Sequence, residues 1–308
     1  VRPVVRLAVQ AMATRFELVL AGDDPVRLRA AGEEALAEIR RLERQLSFYD
    51  PRSEISRVNA LAGRQAVRLE PRLYRLLERV RRLWEATGGA FDPTVAPLMR
   101  CWGFATGEGR RPARAALEEA RRCTGLHRVV LEDGAVAFGR PGMALDLGGI
   151  GKGYAVDEAV TLLKEAGVPA AFLHGGTSTV YAYGAPDDGG AWKVAVPAPE
   201  GGTGLPEVLA VVSLDDEALS VSAPSGRAFE VDGQVYGHVL DPRTGCPVTG
   251  ALLAAVVMPS ATDADAFSTA LLVQGAAGLD AAGAPPRALV VAAGTPGGVP
   301  RVSGTLNP

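Results

Sequence analysis

Three short segments concentrate the side chains able to do chemistry. The first is Asp146-Leu147-Gly148-Gly149-Ile150-Gly151-Lys152-Gly153-Tyr154-Ala155-Val156-Asp157, a glycine loop between an apolar run and a helical pattern. Such a loop lets backbone N–H groups and a helix N-terminus face a phosphate. Lys152 adds a cation in a chain whose basic residues are otherwise nearly all arginine, the other lysines being Lys164 and Lys193. The spacing is not that of a Walker A loop, because Gly153 stands where a Ser or Thr would hold magnesium, nor is it a G-x-G-x-x-G fingerprint. A tight structural turn is the alternative reading of the same glycines. The second segment, Thr262-Asp263-Ala264-Asp265-Ala266-Phe267-Ser268-Thr269, sets Asp265 and Thr269 four apart, on one helical face, where they offer two hard oxygens to a cation. Its structural alternative is a capping box with Thr262 as N-cap and Asp265 at the third helical position. The third segment, Tyr236-Gly237-His238-Val239-Leu240-Asp241-Pro242-Arg243-Thr244-Gly245-Cys246-Pro247, puts His238 at the end of a strand, before a turn that Asp-Pro and Thr-Gly enforce. Rigid placement beside a turn suits a general base or a substrate-orienting group, with Asp241 in the same turn, although such residues also serve turns alone. His127 reads as structural, and His174 precedes Gly175-Gly176 in a loop.

These segments need elements to hold them. Alternating apolar positions at 5–8 and 16–20 predict opening strands. Leu28, Ala31, Ala35, Ile39, Leu42 and Leu46 form one stripe of a long helix, and a second starts at Pro71 with Leu73, Leu76, Leu77, Val80, Leu83 and Trp84 on one face. The arginines and glutamates interspersed on both helices predict solvated faces rather than a nucleic-acid patch. Asp133-Gly134 and Asp232-Gly233, each between apolar runs, predict two hairpins. Residues 144–169 read as strand, glycine loop and helix. Residues 252–258 and 288–293 read as buried strands flanking a helix from about 263 to 273. The stretch 195–204 reads as an internal loop and 294–308 as a loose tail. Hairpin strands with long helices between them predict an α+β fold of antiparallel sheets rather than a doubly wound parallel sheet.

Composition narrows the function classes. With 308 residues, 47% of them hydrophobic, the chain has material for one large or two modest cores, which excludes disorder as its main theme. Lys and Arg total 32 against 35 Asp and Glu, so no whole-protein field recruits nucleic acid or an anionic membrane. The longest purely apolar run, 251–258, is far short of the roughly 20 residues of a membrane-spanning helix, so a soluble chain is expected. Cys101, Cys123 and Cys246 form no Cys-x-x-Cys pair, which argues against a disulfide framework or a zinc site. The chain starts at Val1 without an initiator Met or a signal pattern, so a mature or trimmed form is expected.

Taken in order, the segments resemble the ApbE family of FAD:protein FMN transferases. The resemblance begins at Met12-Ala13-Thr14-Arg15-Phe16, continues through Leu46-Ser47-Phe48-Tyr49, Ser53-Glu54-Ile55-Ser56-Arg57-Val58-Asn59, Gly89-Ala90-Phe91-Asp92-Pro93-Thr94-Val95 and Trp102-Gly103-Phe104, and then takes in the 146–157 loop, Gly175-Gly176, the His238 segment and residues 264–270. It covers roughly residues 12–275. What it implies is a T-fold-like α+β architecture, with residues 1–308 as one catalytic domain of two tightly associated lobes and an FAD cleft between them. It further implies binding of FAD, Mg²⁺ polarising the pyrophosphate, and transfer of FMN to a Thr or Ser hydroxyl of a partner flavoprotein with release of AMP. Hydrolysis of FAD to FMN and AMP, or FAD binding without catalysis, are the alternatives on the same scaffold. Carried over by position, Asp265, Thr269 and the carbonyl of Gly149 become metal ligands, and His238, with Asp241, becomes the catalytic group. Tyr49 matches a tyrosine lying against the isoalloxazine, and Met12, Asn59, Asp92, Asp146, Gly149, Lys152, Gly175, Gly176 and Ser225 fall in the FAD-binding set. Two departures bear on transfer: Ala223-Pro224-Ser225-Gly226 stands where Thr-Ser-Gly is usual, and His174 replaces an Asn before Gly175-Gly176, with Thr177-Ser178 following. The chain has no acceptor-like segment of its own. Nucleic acid is not an expected partner, and the resemblance favours the bacterial envelope or periplasm, with the cytoplasm as the other compartment.

Overall fold

The computed structural model describes residues 2–185, 190–200, 202–224, 228–294 and 298–307. Ser225 lies outside them, so its expected FAD role has no structural account. In chain order the strands and helices are β1 (Val4–Ala11), β2 (Thr14–Ala21), α1 (Pro25–Leu46), α2 (Glu54–Leu61), β3 (Val67–Arg68), α3 (Pro71–Ala86), α4 (Ala96–Cys101), α5 (Arg114–Arg122), β4 (Val129–Glu132), β5 (Ala135–Phe138), α6 (Gly151–Glu165), β6 (Ala170–Gly175), β7 (Thr179–Tyr183), β8 (Trp192–Pro197), β9 (Val208–Leu214), β10 (Glu217–Ser222), β11 (Ala228–Val231), β12 (Gln234–Gly237), β13 (Ala251–Met258), α7 (Ala261–Gln274), β14 (Ala288–Ala292) and β15 (Arg301–Thr305).

Local chemistry explains most boundaries. Asp24 accepts from the backbone N–H groups of Val26 and Arg27 and so caps α1, with Pro25 in its first turn. Glu70 caps α3 in the same way, through Arg72 N and Leu73 N, before Pro71. The hairpins β4–β5 and β11–β12 turn on Asp133-Gly134 and Asp232-Gly233, all four with positive φ, as a type I′ turn requires. Both were legible as hairpins because that requirement is local.

The main sheet has eight strands in the order β1-β2-β6-β7-β10-β13-β14-β15, every pairing antiparallel. The α+β expectation holds. Strand β13 shows why its sequence is apolar throughout: Ala254 and Val256 face the core beneath the helices, whereas Leu253, Ala255 and Val257 face a second core shared with β8–β9. Helices α1, α6 and α7 pack on the first face. A third cluster, with Leu98, Trp102, Phe104 and Tyr236, joins α4 and α5 to the β11–β12 hairpin. No helix among the described residues is long and apolar enough to cross a membrane.

Four expectations are corrected. Residues 144–147 belong to no sheet, because their main chain is tied to Asn59 and Pro93 instead of a neighbouring strand. Helix α7 begins at Ala261, with Ser260 as N-cap accepting from Asp263 N, so the Thr262 capping box does not form. The stretch 195–204 enters β8, whose Val196 is buried. The tail 294–308 contains β15, which pairs with β14 and completes its hydrogen bonding, and Leu306 beyond it is 1% exposed in the second core.

Candidate active site

A cavity of about 740 Å³ opens where the β1–β2 turn, the end of α1, the 91–95 segment, the 146–152 loop, the start of α7 and the His238 segment meet. This is within the size range of small-molecule pockets.

The glycine loop is held from behind. Asn59 donates from Nδ2 to Leu145 O (2.9 Å) and accepts from Leu145 N at Oδ1 (2.7 Å), and Asp146 N donates to Pro93 O (2.7 Å). Gly148 N donates to Asp146 Oδ1 at 2.9 Å, closing the turn. Helix α6 follows with no cap from its N-cap residue Ile150, and its Gly151 and Lys152 line the cavity. The positive end of a helix and a lysine therefore face the same space, an arrangement suited to an anion.

Across the loop stands α7. Asp265 is 3% exposed; its Oδ2 accepts from Gly153 N (3.0 Å) and its Oδ1 from Ser220 Oγ (3.3 Å). Among the described residues no ion pair neutralises it, and an uncompensated buried carboxylate is costly. Thr269 Oγ1 donates to Asp265 O (3.1 Å) and would lie 3.5 Å from a Cβ built on Gly149. Gly149, Asp265 and Thr269 thus converge on one edge of the cavity. The described residues contain no group of three or more His, Cys, Asp or Glu suited to a metal. A cation here would take one carboxylate and neutral oxygens, and such a sparse hard-oxygen set fits Mg²⁺, which completes its shell with water and substrate phosphates.

The α6–α7 contact that builds this edge is made by Asp157. Its carboxylate accepts from Ser260 Oγ (2.6 Å), Ala261 N (2.8 Å), Thr262 N (3.0 Å) and Thr262 Oγ1 (2.5 Å), capping α7 from the neighbouring helix. Arg79 of α3 joins through Asp263 (2.8 Å). At Gly153 the two helices approach closely, since a Cβ there would lie 2.2 Å from Ala261 O.

His238, half-buried, lines the same cavity with Val239 and Leu240. Its segment is fixed by Val248 N donating to Val239 O (2.9 Å), Gly245 N to Asp241 O (2.7 Å) and Trp102 Nε1 to Gly245 O (2.8 Å). Tyr49 is 53% exposed at the cavity rim, edge-on to Phe48 with ring centroids 5.3 Å apart, and so presents an aromatic surface to a planar ligand.

The structure therefore brings Met12, Tyr49, Asp146, Gly149, Lys152, His238, Asp265 and Thr269 to one cavity. Other expected site residues have different places. The Asp241 carboxylate is bound by Arg243 (2.9 and 3.0 Å) and shapes the turn without lining the cavity. Asn59 braces the loop from outside. Asp92 reaches the cavity wall, but its carboxylate accepts from Thr94 N, Thr94 Oγ1, Trp84 Nε1 and Leu126 N; burial pushes its pKa up while those bonds oppose the rise. Gly175 and Gly176 are crowded by Phe16 and Thr14 and turn β6 into β7, which leaves Thr177 and Ser178 as the residues facing the cavity. His174 is engaged by Gly176 O (3.1 Å) and Glu17 (3.4 Å). One functional contributor had no sequence signal. Glu43, on the charged side of α1, accepts from Met12 N (2.5 Å) and steadies a β1–β2 turn in which Met12 and Ala13 have φ of 51° and 58°. Positive φ is strained for these residues, and the strain sits at the cavity rim.

Fold and site define an α+β protein whose cleft combines an anion-facing loop, a buried hard-oxygen edge and a histidine. The chain belongs to the ApbE family, whose model matches residues 12–290. It is 34% identical over 265 residues to the FAD:protein FMN transferase of Treponema pallidum (strain Nichols), covering 80% of this chain and 72% of that one. It is 30% identical over 236 residues to the enzyme of that name from Vibrio cholerae, covering 75% and 69%. Among solved structures it resembles an ApbE protein from Thermotoga maritima (TM-score 0.86, 29% identity, 98% and 97% of the two chains) and the apo flavinyl transferase ApbE of Pseudomonas stutzeri (TM-score 0.84, 28% identity, 98% and 95%).

Proposed function

We propose that this protein is a magnesium-dependent FAD:protein FMN transferase. The observation that carries the reading is the convergence of Gly149, Asp265 and Thr269 beside the α6 N-terminus, with His238 in the same cavity. In this reading the isoalloxazine lies near Tyr49 and the pyrophosphate near the 146–153 loop, where glycine backbone permits close approach and Lys152 supplies charge. Asp265, Thr269 and the Gly149 carbonyl would hold Mg²⁺, which when bound neutralises phosphate charge and polarises the phosphoryl oxygen. His238 takes the proton from the acceptor Thr or Ser hydroxyl while that oxygen bonds to the FMN phosphorus. The P–O bond to AMP breaks, and AMP leaves with its phosphate.

The test is incubation with FAD, Mg²⁺ and envelope flavoproteins as acceptors, with mass analysis of protein and nucleotides. FMN on a protein together with AMP is the expected result. Free FMN and AMP without modified protein would replace transfer by hydrolysis, and unchanged FAD would leave a binding protein.

A further inference from the structure

Beyond the turn that follows His238 lies a second, open groove of about 500 Å³, lined by Glu118, Arg121, Arg122, Arg128, Pro242 and Arg243. Four of its six lining residues are arginines in a chain whose net charge is −3. With the ion pairs that reach into it, the groove holds six arginines against three carboxylates: Glu118 is bound to Arg114, Glu119 to Arg122 and Arg140, and Asp241 to Arg243. The guanidinium groups of Arg121 and Arg128 bond only main-chain carbonyls, of Arg243 for the first and of Arg122 and Thr124 for the second, and no ion pair among the described residues neutralises either. Positive charge therefore remains for a partner to meet.

The groove adjoins the active-site wall. Arg121 of α5 donates to Arg243 O at 2.8 Å, tying the arginine helix to the turn held by Asp241. Leu240 faces the cavity and Pro242 faces the groove, two residues apart. At about 3.5 Å per residue, the separation along the chain from His238 to Pro242 is at most about 14 Å, or four extended residues.

Resting on the transferase reading above, we propose that this groove docks the acceptor protein through acidic side chains lying within roughly four to six residues, or the equivalent distance on its surface, of the hydroxyl to be flavinylated. Arginine forks match carboxylates bidentately, and exposed charges of this kind raise the rate and selectivity of encounter more than they deepen the final complex. The acceptor's carboxylates would settle against Arg121, Arg122 and Arg128 while its Thr or Ser enters the cavity mouth at His238.

The test uses the full chain, with Arg122→Glu alone, Arg121→Glu/Arg122→Glu, and the charge-keeping Arg121→Lys/Arg122→Lys. Binding of a fluorescein-labelled Glu-rich peptide and of its Gln counterpart is read by anisotropy. FMN transfer is read against the concentration of an acceptor that the wild type modifies. The expected result is a roughly tenfold rise in half-saturating acceptor and in peptide dissociation constant for the Glu variants, with FAD affinity and the rate at saturating acceptor little changed. The wild-type half-saturation should also rise with salt and that of the Glu variants much less. Should the double variant lose thermal stability, Arg122→Glu carries the test, since among the described residues its guanidinium pairs only with Glu119. Unchanged half-saturation and salt dependence in a variant that still transfers FMN overturn the groove alone. Groove-dependent binding of anionic lipid vesicles or duplex DNA without preference for the acidic peptide also overturns it. Wild type that transfers FMN to no acceptor overturns the transferase reading and the groove together.

Discussion

At the scale of single residues, the proposed chemistry is divided between Asp265 and His238. Asp265 is buried, accepts two hydrogen bonds and has no cationic partner among the described residues, so its charge is useful chiefly to a bound cation. Asp265→Ala should abolish Mg²⁺-dependent turnover in a protein that still folds; Mg²⁺ titration of activity together with the thermal midpoint checks this, and wild-type turnover at limiting Mg²⁺ would refute the metal assignment. His238→Ala should bind FAD nearly as the wild type does yet lose about 10²- to 10⁴-fold in transfer rate, the usual worth of a positioned base. If His238 only braced its turn, FAD affinity and melting temperature would fall along with the rate. Single-turnover transfer with FAD titration on the same variant separates the two, and full transfer in a stable His238→Ala protein would remove the base role.

At the scale of elements, the proposed metal edge depends on how closely α6 and α7 approach. Gly153 permits that approach: a Cβ there would lie 2.2 Å from Ala261 O and 2.8 Å from Asp265 Cβ. Gly153→Ala should force the helices apart, costing about 1–3 kcal/mol by overpacking and raising the Mg²⁺ concentration needed for half-maximal transfer. Denaturant unfolding and Mg²⁺ titration measure the two effects, and a variant unchanged in both would show that the contact is slack. The same pair of helices shows what could be read in the sequence. The stripes of α1 and α3, the two Asp-Gly hairpins, the 146–153 loop, His238 and Asp265 were legible because periodicity, turn chemistry and short spacing are local. Asp157 closed the sequence motif but gave no sign that it caps α7, since that depends on a fold contact across about a hundred residues. Asp92 lines the cavity as expected, whereas Asn59 and Asp241 do not: sequence shows a side chain's chemistry but not which neighbour consumes it. The apolar run at 144–147 looked like a strand because apolar patterning cannot distinguish sheet pairing from backbone tied to an Asn side chain.

At the scale of the whole molecule, the sheet separates two cores, and the cavity draws its wall from the one beneath the helices and from the third cluster around Trp102. Leu306, 1% exposed, belongs to the other core beyond the edge strand β15. Leu306→Ala should therefore cost about 2–5 kcal/mol of stability while leaving FAD affinity within twofold. Denaturant unfolding and FAD titration check the pair, and an equal loss of FAD binding would mean that the two sides of the sheet are coupled. The cavity itself draws its wall from Met12 near one end of the chain and Thr269 near the other. A chain emerging from the ribosome cannot assemble that wall until α7 has been made, so a nucleotide cannot chaperone the early stages of folding. Once the wall is complete, FAD bound there as proposed would hold together segments that are remote in sequence, and its binding free energy would oppose global unfolding rather than the fraying of one part. Protection by FAD against proteolysis should consequently appear throughout the helix-bearing core at once.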